Sequence, residues 1–185
     1  MGPIFLRVCL GLCLVATSFS TAIGQERSNN RVAANSDWSV FVESDPRQCW
    51  SVSAPKEILN QRDGRAVAVR RGTTQLMVHH FPSKSVAGQV AFTSGYPFAV
   101  GSTVELEIDG SKFVLIPGTE ETESVHAEWA WPETEADDAK IIEAMKKGRT
   151  ATVRGRSQRG TDTTDTFSLI GFTASHLEAE KRCRG

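Results

Sequence analysis

Between Thr103 and Ile108 apolar and acidic residues alternate without a break, Val104, Leu106 and Ile108 against Glu105 and Glu107. A period of two makes a strand with one packed and one solvated face. Asp109-Gly110 follows, a dipeptide suited to the positive φ angles of a type I′ turn, and Phe113 and Leu115 then resume the apolar face. The segment therefore predicts a hairpin, and a hairpin of this length must join a larger antiparallel sheet to bury its packed side.

Strand signals recur throughout the chain. Trp38, Val40 and Val42 alternate with smaller or polar neighbours; Trp50 and Val52 share a face, with Cys49, Ser51 and Ser53 on the other. Further strands are predicted at Ala66 to Arg70, Gln75 to Phe81, Gln89 to Thr93, Lys112 to Ile116, Val125 to Trp131, Ala151 to Arg154 and Thr166 to Ile170. Trp38 and Trp50 are expected in the core. Were the Cys49 face to point outward, the C-terminal segment would have to strap across the outside or an edge of the sheet. Helices are few. One starts at Asp137-Asp138, carries the stripe Ile141, Ile142, Met145 and stops at Lys146-Lys147-Gly148. A second is predicted from Ala174 to Arg182 with Thr173 as N-cap, placing Ala179 and Cys183 on one face. The pattern predicts a mainly β chain, a single β-sandwich or closely related barrel of roughly ten short strands with two short helices.

The first 24 residues belong to a different kind of segment. Arg7 precedes the apolar stretch Val8 to Phe19, and Ala22-Ile23-Gly24 offers small residues for a signal peptidase, so residues 1–24 read as a signal peptide cleaved near Gly24. A membrane-spanning helix needs roughly 20 consecutive apolar residues, and Thr17, Ser18, Ser20 and Thr21 interrupt this one. Lipidation at Cys13 is disfavoured by Leu12 before it. Residues 25–36 are polar and aperiodic, a flexible leader, and the globular domain is expected over residues 37–185. The mature chain is thus predicted to be periplasmic or secreted, with no transmembrane segment.

Export leaves 161 of the 185 residues, enough for one domain. Only Arg7 is lost from the charge balance, so 20 basic residues face 22 acidic ones for a net charge of −2, which argues against nucleic acid as the partner. Cys9 and Cys13 leave with the leader. Cys49 and Cys183 then remain in an oxidising compartment, where a disulfide between them is favoured over two separate thiols or pairing between molecules. Closing so long a loop is worth at most about 5 kcal/mol. A zinc site is not supported by two cysteines without paired spacing.

Chemistry is sparsely signalled. His79 and His80 are adjacent on a predicted strand and point to opposite faces, so they cannot hold one metal together. His126 alternates with Glu128, and the Arg154 to Arg159 loop carries Arg154, Arg156 and Arg159; these residues are the candidates for a hydrolytic or metal-dependent site. Ser157 and Ser168 lack the G-x-S-x-G pattern of a nucleophile elbow, and no phosphate loop or dinucleotide fingerprint is present. The solvated-loop and cross-strand readings of these residues are favoured, so no catalytic residue, metal or cofactor is assigned. Aromatic residues are better candidates for binding. Trp129 and Trp131 share a face, Tyr96-Pro97-Phe98 forms a rigid aromatic turn, and acid-rich Glu120 to Glu123 and Glu133 to Asp138 flank the tryptophans. Tyr96, Phe98, Trp129 and Trp131 form the candidate binding surface, its alternative being burial in the core.

Several strings stand together in order: Asp37-Trp38, Cys49-Trp50-Ser51-Val52-Ser53-Ala54-Pro55, Gly95-Tyr96-Pro97-Phe98, Ile108-Asp109-Gly110 with Phe113, Ala144-Met145-Lys146 before Gly148, and Arg159-Gly160-Thr161 leading to Asp165 through Ala174. Over about Asp37 to Cys183 the chain resembles the invasion-associated locus B family of bacterial envelope proteins. The resemblance implies an exported protein of Gram-negative, mainly alphaproteobacterial cells, with paired cysteines where Cys49 and Cys183 stand. The family's founding member is linked to entry into red blood cells, although many relatives occur in bacteria that invade nothing. It implies no catalytic residues. The expectation is a non-enzymatic envelope protein acting on a protein or cell-envelope partner, with a host-cell surface as one candidate.

Overall fold

A computed structural model describes residues 30–118 and 126–184, without the side chain of His126. The predicted signal peptide, Glu120 to Glu123 and Val125 lie outside the described residues. In chain order the strands are β1 (Arg31–Asn35), β2 (Trp38–Ser44), β3 (Arg47–Ser53), β4 (Glu57–Arg62), β5 (Arg65–Ala66), β6 (Gln75–Phe81), β7 (Val86–Thr93), β8 (Val104–Ile108), β9 (Ser111–Pro117), β10 (Trp129–Trp131), β11 (Thr150–Arg156) and β12 (Asp162–Ser168). Helix α1 (Glu135–Lys147) lies between β10 and β11, and α2 (Phe172–Arg184) ends the described chain.

All twelve strands belong to one open antiparallel sheet, ordered β1-β2-β3-β6-β7-β10-β9-β8-β11-β12-β4-β5. The mainly β expectation holds, and the two layers of the expected sandwich are halves of this single sheet. Five ladder steps separate β7 from β12, about 24 Å in a flat sheet, yet the rings of Phe92 and Phe167 meet edge to face at 6.2 Å. The sheet is therefore curled onto itself. Ala54-Pro55-Lys56 carry the chain from β3 in one half to β4 in the other, where Lys56 N–H donates to Thr166 O at 2.7 Å. Trp38, Leu76, Val78, Val90 and Phe92 from one half pack against Val104, Leu106, Leu115, Val153 and Phe167 from the other.

The predicted hairpin is β8–β9, with Asp109 and Gly110 both at positive φ and Ile108 paired to Ser111. Val104, Leu106 and Ile108 are buried, whereas Glu105 and Glu107 meet Arg154 across the ladder on the solvated side. Thr134 caps α1 by accepting the Asp137 N–H, and Ile141, Ile142 and Met145 enter the core. Asp138 is pinned beside β7, its carboxylate accepting the Val90 N–H at 2.7 Å while burial pushes its pKa up to about 6.

Cys49 and Cys183 form a disulfide between β3 and α2. This overturns the outward orientation considered for the Cys49 face. Cys49, Ser51 and Ser53 point inward, and α2 covers Val40 and Cys49 with Ala179 and Cys183. Because Cys49 must face the helix, its neighbour Trp50 is forced to the outer side, where it is half-buried rather than in the core.

Other expectations also shift. Arg31–Asn35, read as part of the flexible leader, pair with β2 as β1. Ala66 to Arg70 contribute only their first residue to β5, and β4 was missed because Ile58 and Leu59 are both exposed and break the alternation. The strand predicted from Val125 shortens to β10: His126–Glu128 form a 3-10 turn whose Ala127 and Glu128 carbonyls accept Phe98 and Ser94 N–H groups. Helix α2 begins two residues before the expected start.

Candidate functional site

The outer side of the first half-sheet gathers aromatic rings, because residues two apart on a strand, and directly paired on neighbouring strands, share a face. Phe41 stacks on Trp50 at 5.5 Å, Trp50 on His79 at 5.9 Å and His79 on Phe81 at 5.3 Å. This row crosses β2, β3 and β6 with the register Phe41–Trp50–His79. On β10, Trp129 and Trp131 stack at 6.2 Å and 11°. A groove of about 540 Å³ lies between the row and the tryptophan pair, lined by His79, Phe81, Lys84, Val86, Gln89 and both tryptophans. Beneath these rings sit Val52, Met77 and Ala91. Burial lowers the His79 pKa to about 4, so its imidazole joins the stack uncharged at neutral pH. Trp129 and Trp131 stack on one side of the sheet, the side that also carries Phe41, Trp50, His79 and Phe81.

Tyr96 and Phe98 belong elsewhere. Phe98 is 4% exposed and packs in the core against Phe92, which removes it from the candidate surface. Phe98 is held there by its bridge to Ser157 and by close packing against Gly155. Tyr96 is half-buried at a second cleft, of about 500 Å³, between the β4–β6 segment and the β11–β12 turn. Its hydroxyl pairs with Thr163 Oγ1 at 2.6 Å, and burial pushes its pKa up to about 12.

Beside Tyr96 lies a buried ion pair. Arg71 donates from Nη1 and Nη2 to the two carboxylate oxygens of Asp165 at 2.7 and 2.6 Å, and from Nε to Ser94 O at 3.0 Å, while its guanidinium lies 4.9 Å from the Tyr96 ring centre. Burial pushes the Asp165 carboxyl up, and Arg71 opposes that shift. A sequence signal existed for Asp165. It is in phase with Thr163, Phe167 and Leu169, so an acid on the packed face of β12 needed a buried cation; which cation was not readable.

The residues considered for a hydrolytic or metal site are brought together only in part. Glu128, Ser157, Gln158 and Arg159 line the Tyr96 cleft. Arg154 instead faces Glu105 and Glu107, and Arg156 bridges Asp162 at 2.8 Å. His79 and His80 do point to opposite faces: His80 is buried with its ring 5.3 Å from that of His176, whose pKa burial lowers to about 4.

The curled antiparallel sheet and its disulfide-bound C-terminal helix define a mainly β domain. Residues 38–180 match the model of the invasion-associated locus B (IalB) protein family, and the chain belongs to that family. Among solved structures it is similar to the crystal structure of invasion-associated protein B from Bartonella henselae, at 15% sequence identity and a TM-score of 0.54, over 83% of this chain and 98% of that one. At that identity the likeness concerns the fold. No curated protein matches the sequence. Among the described residues no helix is long and apolar enough to cross a membrane.

Proposed function

We propose that this chain is exported through residues 1–24 and works in the periplasm or outside the cell as a non-enzymatic envelope protein that binds a protein or cell-surface partner through its outer aromatic face. The observation that carries the reading is the row Phe41, Trp50, His79, Phe81 facing Trp129 and Trp131 across a groove, with no described element laid over it. Half-buried aromatic clusters of this kind can concentrate binding energy in few side chains. Contact with a host-cell surface is the finer form of the proposal, supported by the names of the family and of the Bartonella structure. The test is photo-crosslinking of the oxidised mature protein to cell envelopes and to host-cell membranes. A discrete adduct is expected, reduced about tenfold or more by the Trp129→Ala/Trp131→Ala double variant. Repeated recovery of no adduct, or equal recovery with the variant, would overturn the reading.

A second reading, a periplasmic hydrolase or metal-dependent enzyme using His126, Glu128 and the Arg154 to Arg159 loop, draws support from the shared cleft of Glu128 and Arg159. Metal analysis and a broad hydrolase screen separate the two. Stoichiometric metal, or turnover abolished by His126→Ala, would favour the enzyme.

A further inference from the structure

We propose that the cleft beside Tyr96 binds a phosphorylated sugar, with the phosphate held by Arg62, Arg70 and Arg159 and the sugar lying along Tyr96 and Pro97. This site is separate from the aromatic groove and does not depend on what that groove binds.

The argument begins with the distribution of charge. Among the exposed arginines of the described residues, Arg154, Arg156, Arg182 and Arg184 lie against a carboxylate, whereas Arg31, Arg47, Arg65 and Arg149 form no ion pair and lie outside the cleft lining. Arg62, Arg70 and Arg159 form no ion pair among the described residues, and all three line this cleft, where Glu128 is the acidic lining residue. With Arg71 matched by Asp165, three guanidinium groups against the one carboxylate of Glu128 leave a positive excess around this concavity, in a chain whose overall charge is near balance, and that excess favours a dianion. A phosphate monoester carries nearly two negative charges at neutral pH, and its oxygens match the planar donor fork of arginine.

The cleft is also built rather than improvised. Its floor is fixed by the Arg71–Asp165 pair and the Tyr96–Thr163 hydrogen bond. The loop carrying Arg159 is tied down by Ser157 N–H to Thr161 O at 2.9 Å, Gly160 N–H to Ser157 O at 2.9 Å and Gln158 N–H to Pro97 O at 3.0 Å. Arg62 is oriented by donating to Thr161 Oγ1 at 2.8 Å. Because Arg71 is committed to Asp165, it positions Tyr96 and leaves the exposed arginines to meet the ligand.

The remaining lining selects what carries the phosphate. Tyr96, Pro97, Ala68 and Val69 offer an apolar side suited to the C–H face of a sugar ring, and Asn60 and Thr161 add uncharged polar groups for hydroxyls. A volume of about 500 Å³ accommodates a monosaccharide phosphate. The same chemistry could arrive as a soluble sugar phosphate or as the headgroup of a glycolipid.

The test is calorimetric titration of the oxidised mature protein with glucose 6-phosphate, inorganic phosphate and glucose. Saturable binding of glucose 6-phosphate is expected, with inorganic phosphate about fivefold weaker or more and glucose unbound. Arg62→Ala/Arg159→Ala should weaken it about tenfold or more, while Arg182→Ala/Arg184→Ala, the same change in net charge, should leave it intact. Both pairs are exposed, and thermal unfolding close to that of the unaltered protein verifies their folding. Vesicles bearing a phosphorylated glycolipid that displace the soluble sugar phosphate would assign the ligand to a headgroup; failure to displace it would assign it to the soluble form. No saturation up to about 10 mM ligand, inorganic phosphate binding as tightly, or equal weakening by both double variants would overturn the proposal.

Discussion

Arg71 illustrates how much depends on single side chains that carry no recognisable motif. Its guanidinium is 7% exposed and its partner Asp165 is fully buried, so removing either leaves a charge without compensation in the interior. Arg71→Ala is expected to lower stability by about 3–5 kcal/mol in urea unfolding, and to release Tyr96 from the contact that holds its ring. A cost below about 1 kcal/mol would mean that water reaches Asp165 and that the floor of the cleft is not rigid. Asp165, left out by the strand predicted from Thr166, was legible only from its phase with Phe167. Arg71 was not, because it lies 94 residues away in a stretch with no periodicity, and nothing local marks a long-range partner.

At the scale of elements, the local rules worked where one segment contained all the needed information. The β8–β9 hairpin and α1 were both predicted, the first from alternation and a turn dipeptide, the second from its apolar stripe and its stop at Gly148. They failed where an element depends on a neighbour. Strand β1 looks like leader because its residues are small and polar, and it is ordered by pairing with β2 and by the approach of α2. Gly171 fixes that approach. It sits at φ +93°, and a Cβ there would collide with the Asn35 carbonyl. Gly171→Ala is therefore expected to cost about 2 kcal/mol or more, by strain and collision together. Hydrogen exchange should show the loss concentrated in β1 and at the start of α2; uniform loss across the sheet would contradict this account.

For the whole molecule, the Cys49–Cys183 bond joins positions 134 residues apart and ties the first half-sheet to the terminal helix. Loop-closure entropy sets the upper limit of its contribution at about 5 kcal/mol. Reduction, or a Cys49→Ala/Cys183→Ala variant, should lower stability by about 2–5 kcal/mol while α2 keeps its place through Val40 and Ala179. An unchanged denaturation midpoint on reduction would show that the bond leaves the unfolded ensemble unconstrained. The sequence by itself determined the secondary period, the β8–β9 hairpin and the helix α1, since each is written in neighbouring residues. Only the tertiary structure decided which face of β3 points inward, how one open sheet curls into two layers, and which rings and arginines meet. Those outcomes arise from pairing register and closure between segments far apart in the chain, where a shift of one residue exchanges the buried and exposed faces of a strand.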